Sequence, residues 1–306
     1  MLCLSAASRK GFLGSAGPLP EGVRRSSRGA MTDTLEWEGG VGRTWAAEWQ
    51  RTDRSFAALT ARLLAAIAAI PGRDLVDIGC GAGELGLALA EARPEARVLG
   101  LDVSAELVAA ATMRARGRAN CAFALADAAR WTPDRGAPDL YVSRHGVMFF
   151  ADPTAAFAHL ADVAAPAARL CFSCFRSPAE NPWASGIARL MPGQGEPADL
   201  NAPGPFAFAD PERVRAILGD AGWRDPRFEP VDFRYLAGAG ADPVADALDY
   251  FSRIGPAARA MRALDEPERS AFAGRLERWV AEHEADGEVA FPAAAWIVTA
   301  AKAPRA

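Results

Sequence analysis

This chain predicts an α/β fold on a doubly wound, mostly parallel sheet, and three observations carry that reading. Short apolar runs alternate with helix-period segments from Phe56 to Arg176. A glycine-rich turn, "DIGCGAGELG" (Asp77 to Gly86), joins the first such run to the helix after it. An aspartate closes each of three successive runs: Asp77, Asp102 and Asp127. Strands spaced by helices favour parallel pairing with helices on both faces. The expected sheet has seven strands, the last antiparallel, with a helical insertion before that last strand.

The elements follow in order. Phe56, Leu59, Leu63, Ile67 and Ile70 recur at steps of three and four, an amphipathic helix stopped by Pro71-Gly72. Trp37, Trp45 and Trp49 lie upstream, on a shorter helix or a covering segment. "DLVDIG" is a buried strand, "ELGLALAEAR" a helix stopped by Pro94, "ARVLGLDVS" the second strand, and "AELVAAATMRAR" a helix ended near Gly117. "CAFALADA" is the third strand, "PDLYVSRHG" the fourth, "PTAAFAHLADVAA" a helix and "ARLCFSCFR" the fifth strand. A Pro/Gly-rich loop to about Pro205 leads to the helix "DPERVRAILGDAGW" and a strand near "RFEPVDFRYLA". Residues 241–284 read as two or three helices, an insertion able to act as a lid, before the closing strand "EVAFPAAAWIVTAAK".

Composition bounds the function. The 306 residues are 50% hydrophobic and 24% charged, with a formal net charge of −4. That is enough for a substantial core, and it carries no basic signature for nucleic acid or anionic membrane. No apolar run approaches the roughly 18 residues of a membrane span. Five cysteines, an odd number without a disulfide framework, favour a reduced, cytoplasmic setting. Residues 1–30 hold five basic residues against Glu21, with frequent Gly, Ser and Pro and no periodicity. Of two readings, a transit peptide and a disordered extension upstream of Met31, the second is favoured. Residues 31–306 then form one domain, whose oligomeric state the sequence leaves open.

The glycine turn needs a test. Gly81, Gly83 and Gly86 spell G-x-G-x-x-G, and Asp102 follows Gly81 by 21 residues, where a ribose-binding acid belongs in a dinucleotide enzyme. Asp77 argues the other way. A carboxylate at the mouth of the first strand repels a pyrophosphate and attracts a cation. Three acids along the strand ends suit a ligand with a positive centre, ribose hydroxyls and an amino-bearing base. On "VDIGCGAG", "GLDVS" and "ADAARW", in order between Thr44 and Arg176, the chain resembles the class I S-adenosylmethionine-dependent methyltransferases. "SRHGVMFFADPTAAFAHLADV" and "ARLCFSCFRSPAENPW" are similar to small-molecule methyltransferases related to ubiquinone and menaquinone biosynthesis.

The resemblance implies a Rossmann-like methyltransferase fold, S-adenosylmethionine as cofactor, and a small-molecule acceptor. Asp77, Gly79, Cys80, Gly81 and Gly83 would line the methionine portion. Asp102 would accept from the ribose hydroxyls with Val103 beside the adenine. Asp127 and Ala128 would meet the adenine amino group, and Ser143 and Arg144 would face the sulfonium side. The chain departs from the pattern in one turn, Pro166-Ala167-Ala168, where relatives often carry Pro-Gly-Gly, and at His145, where an apolar aromatic residue is expected. Two other readings stay open: a nicotinamide-dependent oxidoreductase on the same fold class, and a silent protein that keeps the cofactor pocket.

Methyl transfer is an in-line displacement, so a general base is needed only where the acceptor loses a proton. His145, after the fourth strand, is the candidate base, although a hydrogen-bonded structural histidine is the commoner case. His159 and His283 read as edge and surface residues. Cys171 and Cys174 are three apart on a strand, pointing to opposite faces, which favours packing over metal or redox chemistry. No metal site is expected. Trp183 and Asn181 of "ENPW", with Phe149, either shape an acceptor pocket or anchor a turn. "SRHG" stands where enzymes acting on amino groups of bases or glutamine carry N/D-P-P-Y/F/W, which disfavours a nucleic-acid substrate. Most of the other phenylalanines read as core, and those that line an acceptor site would suit an aromatic, quinone-like or lipid-like molecule.

Overall fold

Asp-Pro pairs start many of the helices. Asp152, Asp210 and Asp242 each precede a proline at the first helical position, and each carboxylate accepts an N–H of the opening turn at 2.9–3.0 Å. The cap supplies an acceptor for an orphan donor, and the proline lacks the N–H that would otherwise be unpaired. The computed structural model describes residue 37 and residues 39–193 and 199–304. The extension expected over residues 1–30 lies outside the described residues.

Two N-terminal helices, α1 (Gly40–Ala47) and α2 (Trp49–Ala68), precede the sheet. Leu59, Leu63 and Ile67 are wholly buried, the apolar stripe read from the sequence. The strands are β1 (Asp74–Ile78), β2 (Arg97–Asp102), β3 (Cys121–Leu125), β4 (Leu140–Arg144), β5 (Arg169–Phe175), β6 (Trp223–Ala239), β7 (Glu284–Ala285) and β8 (Glu288–Lys302). Their order is β3-β2-β1-β4-β5-β8-β6, with β7 paired to β8. β1 to β5 pair in parallel, and β8 runs antiparallel between β5 and β6. The main path thus holds the seven expected strands with the last antiparallel. The two-residue β7 adds an eighth, a hairpin tip turned by Asp286 and Gly287 at φ of 55° and 77°. It is too short to leave an alternation in the sequence.

Helices α3 (Glu84–Ala92), α4 (Ala105–Arg114) and α5 (Pro153–Val163) make the crossovers. α6 (Pro182–Arg189) and α7 (Pro211–Asp220) follow β5, and α8 (Pro243–Arg253), α9 (Gly255–Ala263) and α10 (Glu266–Ala281) lie between β6 and the β7–β8 hairpin. The Pro166-Ala167-Ala168 turn closes with the Ala168 N–H on the Ala165 carbonyl at 3.1 Å, and none of its residues takes a positive φ. Strand order reverses between β1 and β4, which opens a crevice at their carboxyl ends.

Candidate functional site

A cavity of about 440 Å³ occupies that crevice. Its floor is the ends of β1, β2 and β4, and the start of α2 and the α8–α9 junction close it from above. Asp77, Gly79, Cys80, Gly81, Asp102, Val103, Asp127, Ala128, Arg144, His145, Phe149 and Trp183 line it.

The loop after β1 lays its backbone open to the cavity. Gly79 and Gly81 have φ of 62° and 55°. A Cβ at Gly79 would sit 2.8 Å from the Gly146 Cα, so β1 and the turn after β4 touch there. A Cβ at Gly81 would meet nothing within 4 Å, so this stretch of backbone faces open space. Asp102 braces the loop: Oδ2 accepts from the Gly81 N–H at 2.8 Å and Oδ1 from the Ser104 N–H at 2.9 Å. Burial raises its pKa, against the pull of those amides and that of Val103.

Asp77 is 1% exposed, and its Oδ2 has no hydrogen-bond partner. Burial pushes its pKa up to about 7, with Arg144 and the Gly86 N–H opposing the shift and Asp102 reinforcing it. A Cβ on Gly86 would lie 3.3 Å from that Oδ2, so the last glycine of G-x-G-x-x-G makes room for the carboxylate. Asp127 lies two residues past the end of β3, on the exposed rim, and its Oδ1 accepts from the Ala129 N–H at 2.9 Å.

Three expected site residues do not line the cavity. Gly83 caps α3 at φ 87°, and a Cβ there would meet Phe123 at 2.7 Å and Ala111 at 3.0 Å, so it serves packing. The Ser143 hydroxyl is fully buried, donating to the Ile78 carbonyl at 2.7 Å and accepting from the Gly146 N–H at 3.0 Å. It ties β4 to β1 and does not reach the sulfonium side. Asn181 is equally buried: its amide donates to the Ser177 and Ala294 carbonyls, and its carbonyl accepts from the Ala294 N–H and the Trp183 Nε1. It orients Trp183 from behind the wall.

Arg144 reaches the cavity but is committed. Its guanidinium donates to Glu84 and to the Thr60 hydroxyl, with Asp53 at 3.9 Å. Asp53 is in turn held by Arg114 at 2.7 Å. His145 sits at φ 67°, a left-handed conformation that is uncommon outside glycine. Its ring stacks on Phe175 at 4.0 Å between centroids and meets the edge of Phe56 at 5.4 Å. Neither ring nitrogen has a partner. Burial, with Arg144 nearby, lowers its pKa to about 3, so the imidazole is neutral at ordinary pH. The other two histidines are satisfied: each places a ring nitrogen 2.7 Å from a carbonyl, His159 on Trp131 and His283 on Trp279. Cys171 and Cys174 are buried, unpaired and away from the cavity. Among the described residues no cluster of His, Cys, Asp or Glu could hold a metal ion, and no helix is long and apolar enough to cross a membrane.

The covering segment expected around the three tryptophans forms part of the roof, while Phe56, Tyr235, Phe251 and Ile254 were not singled out as site residues. Trp37 packs edge-on against Trp45 and Phe149 at 5.4 and 5.3 Å. Trp49 lies under the Arg114 guanidinium at 3.8 Å. Phe56, Tyr235, Phe251 and Ile254 complete the cover. The three closely spaced tryptophans were the available signal for the roof. Nothing local marks Tyr235 or Ile254, whose place depends on how β6 and the insertion fold back.

Comparisons with known proteins agree on one group. A family model described as "Methyltransferase domain" matches residues 75–167. A trans-aconitate 2-methyltransferase of Methylobacterium radiotolerans is 30% identical over 226 residues, covering 67% of this chain and 82% of the relative. A nocamycin O-methyltransferase of Saccharothrix syringae is 30% identical over 168 residues, 54% of this chain and 58% of its own. A solved structure of a Bacillus halodurans protein assigned as a methyltransferase shares the fold with a TM-score of 0.52 at 14% identity, over 80% of this chain and 98% of that one.

Proposed function

The chain belongs to the class I S-adenosylmethionine-dependent methyltransferases and methylates a small molecule, and from that premise we propose how its residues divide the work. The cavity residues fit the cofactor. Gly79, Cys80 and Gly81 offer open backbone, and the unpartnered Asp77 Oδ2 offers a buried negative charge to a cationic group. Asp102, with lone pairs beyond those spent on Gly81 and Ser104, accepts from the ribose hydroxyls. Val103 packs on the adenine, and Asp127 with the Ala128 backbone meets its amino group. Arg144 acts as a brace through Glu84 and Thr60. When bound, the cofactor supplies a sulfonium-activated methyl group; the protein's part is orientation and exclusion of water. His145, Phe149 and Trp183 face the acceptor. We also assign the protein to the reducing cytoplasm, in keeping with its four described cysteines, all free and buried.

The orphaned carboxylate oxygen of Asp77, on a residue that lines the same cavity as the open Gly81 backbone, carries this reading, because a buried carboxylate without a partner favours a positive ligand. The relatives are named for two unlike acceptors, trans-aconitate and nocamycin, so their names leave this chain's acceptor to its own cavity. Calorimetric titration with S-adenosylhomocysteine tests the assignment. Binding should weaken about 100-fold in Asp102→Ala, some 2.7 kcal/mol, as expected when charge-assisted hydrogen bonds are lost. Unchanged affinity in that variant, or tighter binding of NADH than of S-adenosylhomocysteine, would overturn it.

A further inference from the structure

We infer that Glu84 is a positioning residue for cofactor binding: it holds the Arg144 guanidinium away from Asp77, so that the Asp77 carboxylate stays unpaired for the ligand. The inference rests on the methyltransferase reading above and adds a residue to it.

Strand register places the two competitors together. Asp77 on β1 pairs with Val142 on β4, and Arg144 lies two residues further along β4. Side chains two apart on a strand share a face, so Asp77 and Arg144 project to the same side of the sheet as diagonal neighbours. Each acts on the other: Arg144 draws the Asp77 pKa down, and Asp77 draws that of Arg144 up. A buried carboxylate with a guanidinium on its own face is expected to pair with it. Asp77 Oδ2 nevertheless has no hydrogen-bond partner.

Glu84 accounts for the missing pair. It opens α3, directly after the glycine turn, and its carboxylate accepts from Arg144 Nη1. The same nitrogen donates to the Thr60 hydroxyl at 2.8 Å, and Asp53 stands 3.9 Å from Nη2. The Phe56 ring lies 5.2 Å from the guanidinium carbon. Asp53 is itself taken by Arg114 at 2.7 Å. Two guanidiniums, Arg114 and Arg144, thus meet three carboxylates, Asp53, Glu84 and Asp77, and Asp77 is the one left over. The other titratable neighbours of Asp77 bring no positive charge. Asp102 is braced by the Gly81 and Ser104 amides, and Cys80 and Cys121 are thiols whose pKa is raised.

Without the Glu84 charge, Arg144 keeps a hydroxyl and a share of Asp53, and the unpaired carboxylate on its own face is Asp77. An internal Arg144–Asp77 pair would occupy the charge that the cofactor uses, and binding would have to break it.

The test uses the full chain, with S-adenosylmethionine affinity measured by calorimetry between pH 6 and pH 8. Glu84→Gln should bind about tenfold more weakly at pH 8. Its affinity should also lose the rise with pH, and binding should release no proton, because Asp77 held by Arg144 stays ionised over that range. Glu84→Asp, which keeps the charge, should stay within about threefold of the native chain and keep the rise. Removing the arginine tests the cause. Glu84→Gln/Arg144→Met should bind more tightly than Glu84→Gln and regain the rise with pH. Arg144→Met alone should show that rise with its midpoint moved upward, since the arginine no longer draws the Asp77 pKa down. A Glu84 that only shaped the start of α3 would move neither the pH dependence nor the proton count. The inference is overturned by a Glu84→Gln affinity that still rises with pH as in the native chain, or by a double variant no tighter than the single. An unmoved midpoint in Arg144→Met overturns it even where Glu84→Gln does not fold. Failure of the native chain to bind S-adenosylhomocysteine would instead sink the underlying reading.

Discussion

Asp77 makes cofactor affinity depend on pH. With its pKa pushed up to about 7 from an ordinary 3.8, the carboxyl is largely protonated below neutrality in the cofactor-free protein. A cationic ligand favours the carboxylate, so binding releases a proton. S-adenosylmethionine affinity should therefore rise with pH and level off above about 7. Between pH 6 and 8 the gain should be about tenfold, or ~1.4 kcal/mol. Calorimetry in buffers of different ionisation enthalpy checks both the affinity and the proton count, and Asp77→Asn should flatten both. His145 makes stability, too, rise with pH. Its pKa falls from 6.5 to about 3, so the unfolded chain binds the extra proton between those values. Its contribution is fully present above pH 6.5 and is lost as pH falls toward 3. His145→Phe should move the acid-unfolding midpoint, followed by circular dichroism, to lower pH. These residues also show what the sequence discloses. Asp77 and Asp102 are legible because acids recur at successive strand ends, where one alone would read as a cap or turn residue. Ser143 was misread because side chains alternate along a strand, and its neighbour Arg144 takes the cavity side.

Among the elements, the roof is held to the insertion by charge. Arg51 on α2 pairs with Asp246 and Asp249 on α8 at 3.0 and 2.6 Å, and Arg54 pairs with Asp246 at 2.8 Å. The side chains are partly exposed, so the latch is modest and screened by salt. Arg51→Ala should weaken S-adenosylhomocysteine binding about fivefold, ~1 kcal/mol, at low ionic strength. The difference from the native chain should shrink in about 0.5 M salt, by fluorescence titration. α1 offers a steric counterpart: a Cβ at Gly42 would lie 2.3 Å from both the Ser104 Oγ and the Trp37 carbonyl oxygen. Gly42→Val should lift α1 off α4 and raise the dissociation constant, with little change in far-ultraviolet circular dichroism. Periodicity revealed α2 and the crossover helices because their stripes face the sheet. It could not reveal what the insertion covers, since an apolar stripe on α8 says that something is buried and not which partner buries it. Phe251 belongs to the cavity only because α8 returns over β6.

At the scale of the molecule, the cavity is assembled from parts far apart in sequence: the N-terminal helices, the ends of β1, β2 and β4, strand β6, and the α8–α9 junction. A ligand that bridges these parts stabilises the whole fold, because it binds only when they are together. At 100 times its dissociation constant, S-adenosylhomocysteine should add about 2.7 kcal/mol. For a chain of this length, at roughly 2 °C per kcal/mol, the melting temperature should rise about 5 °C. The charge at Asp77 divides that outcome by ligand. S-adenosylmethionine, with its sulfonium, should give a larger shift at pH 8 than at pH 6 at fixed concentration, and Asp77→Asn should remove the difference. NADH should give no shift at either pH, because its pyrophosphate would face Asp77 and Asp102 with no free cation at the glycine turn among the described residues. A melting temperature raised by NADH and unmoved by S-adenosylhomocysteine would mean that Asp77 does not select the ligand's charge.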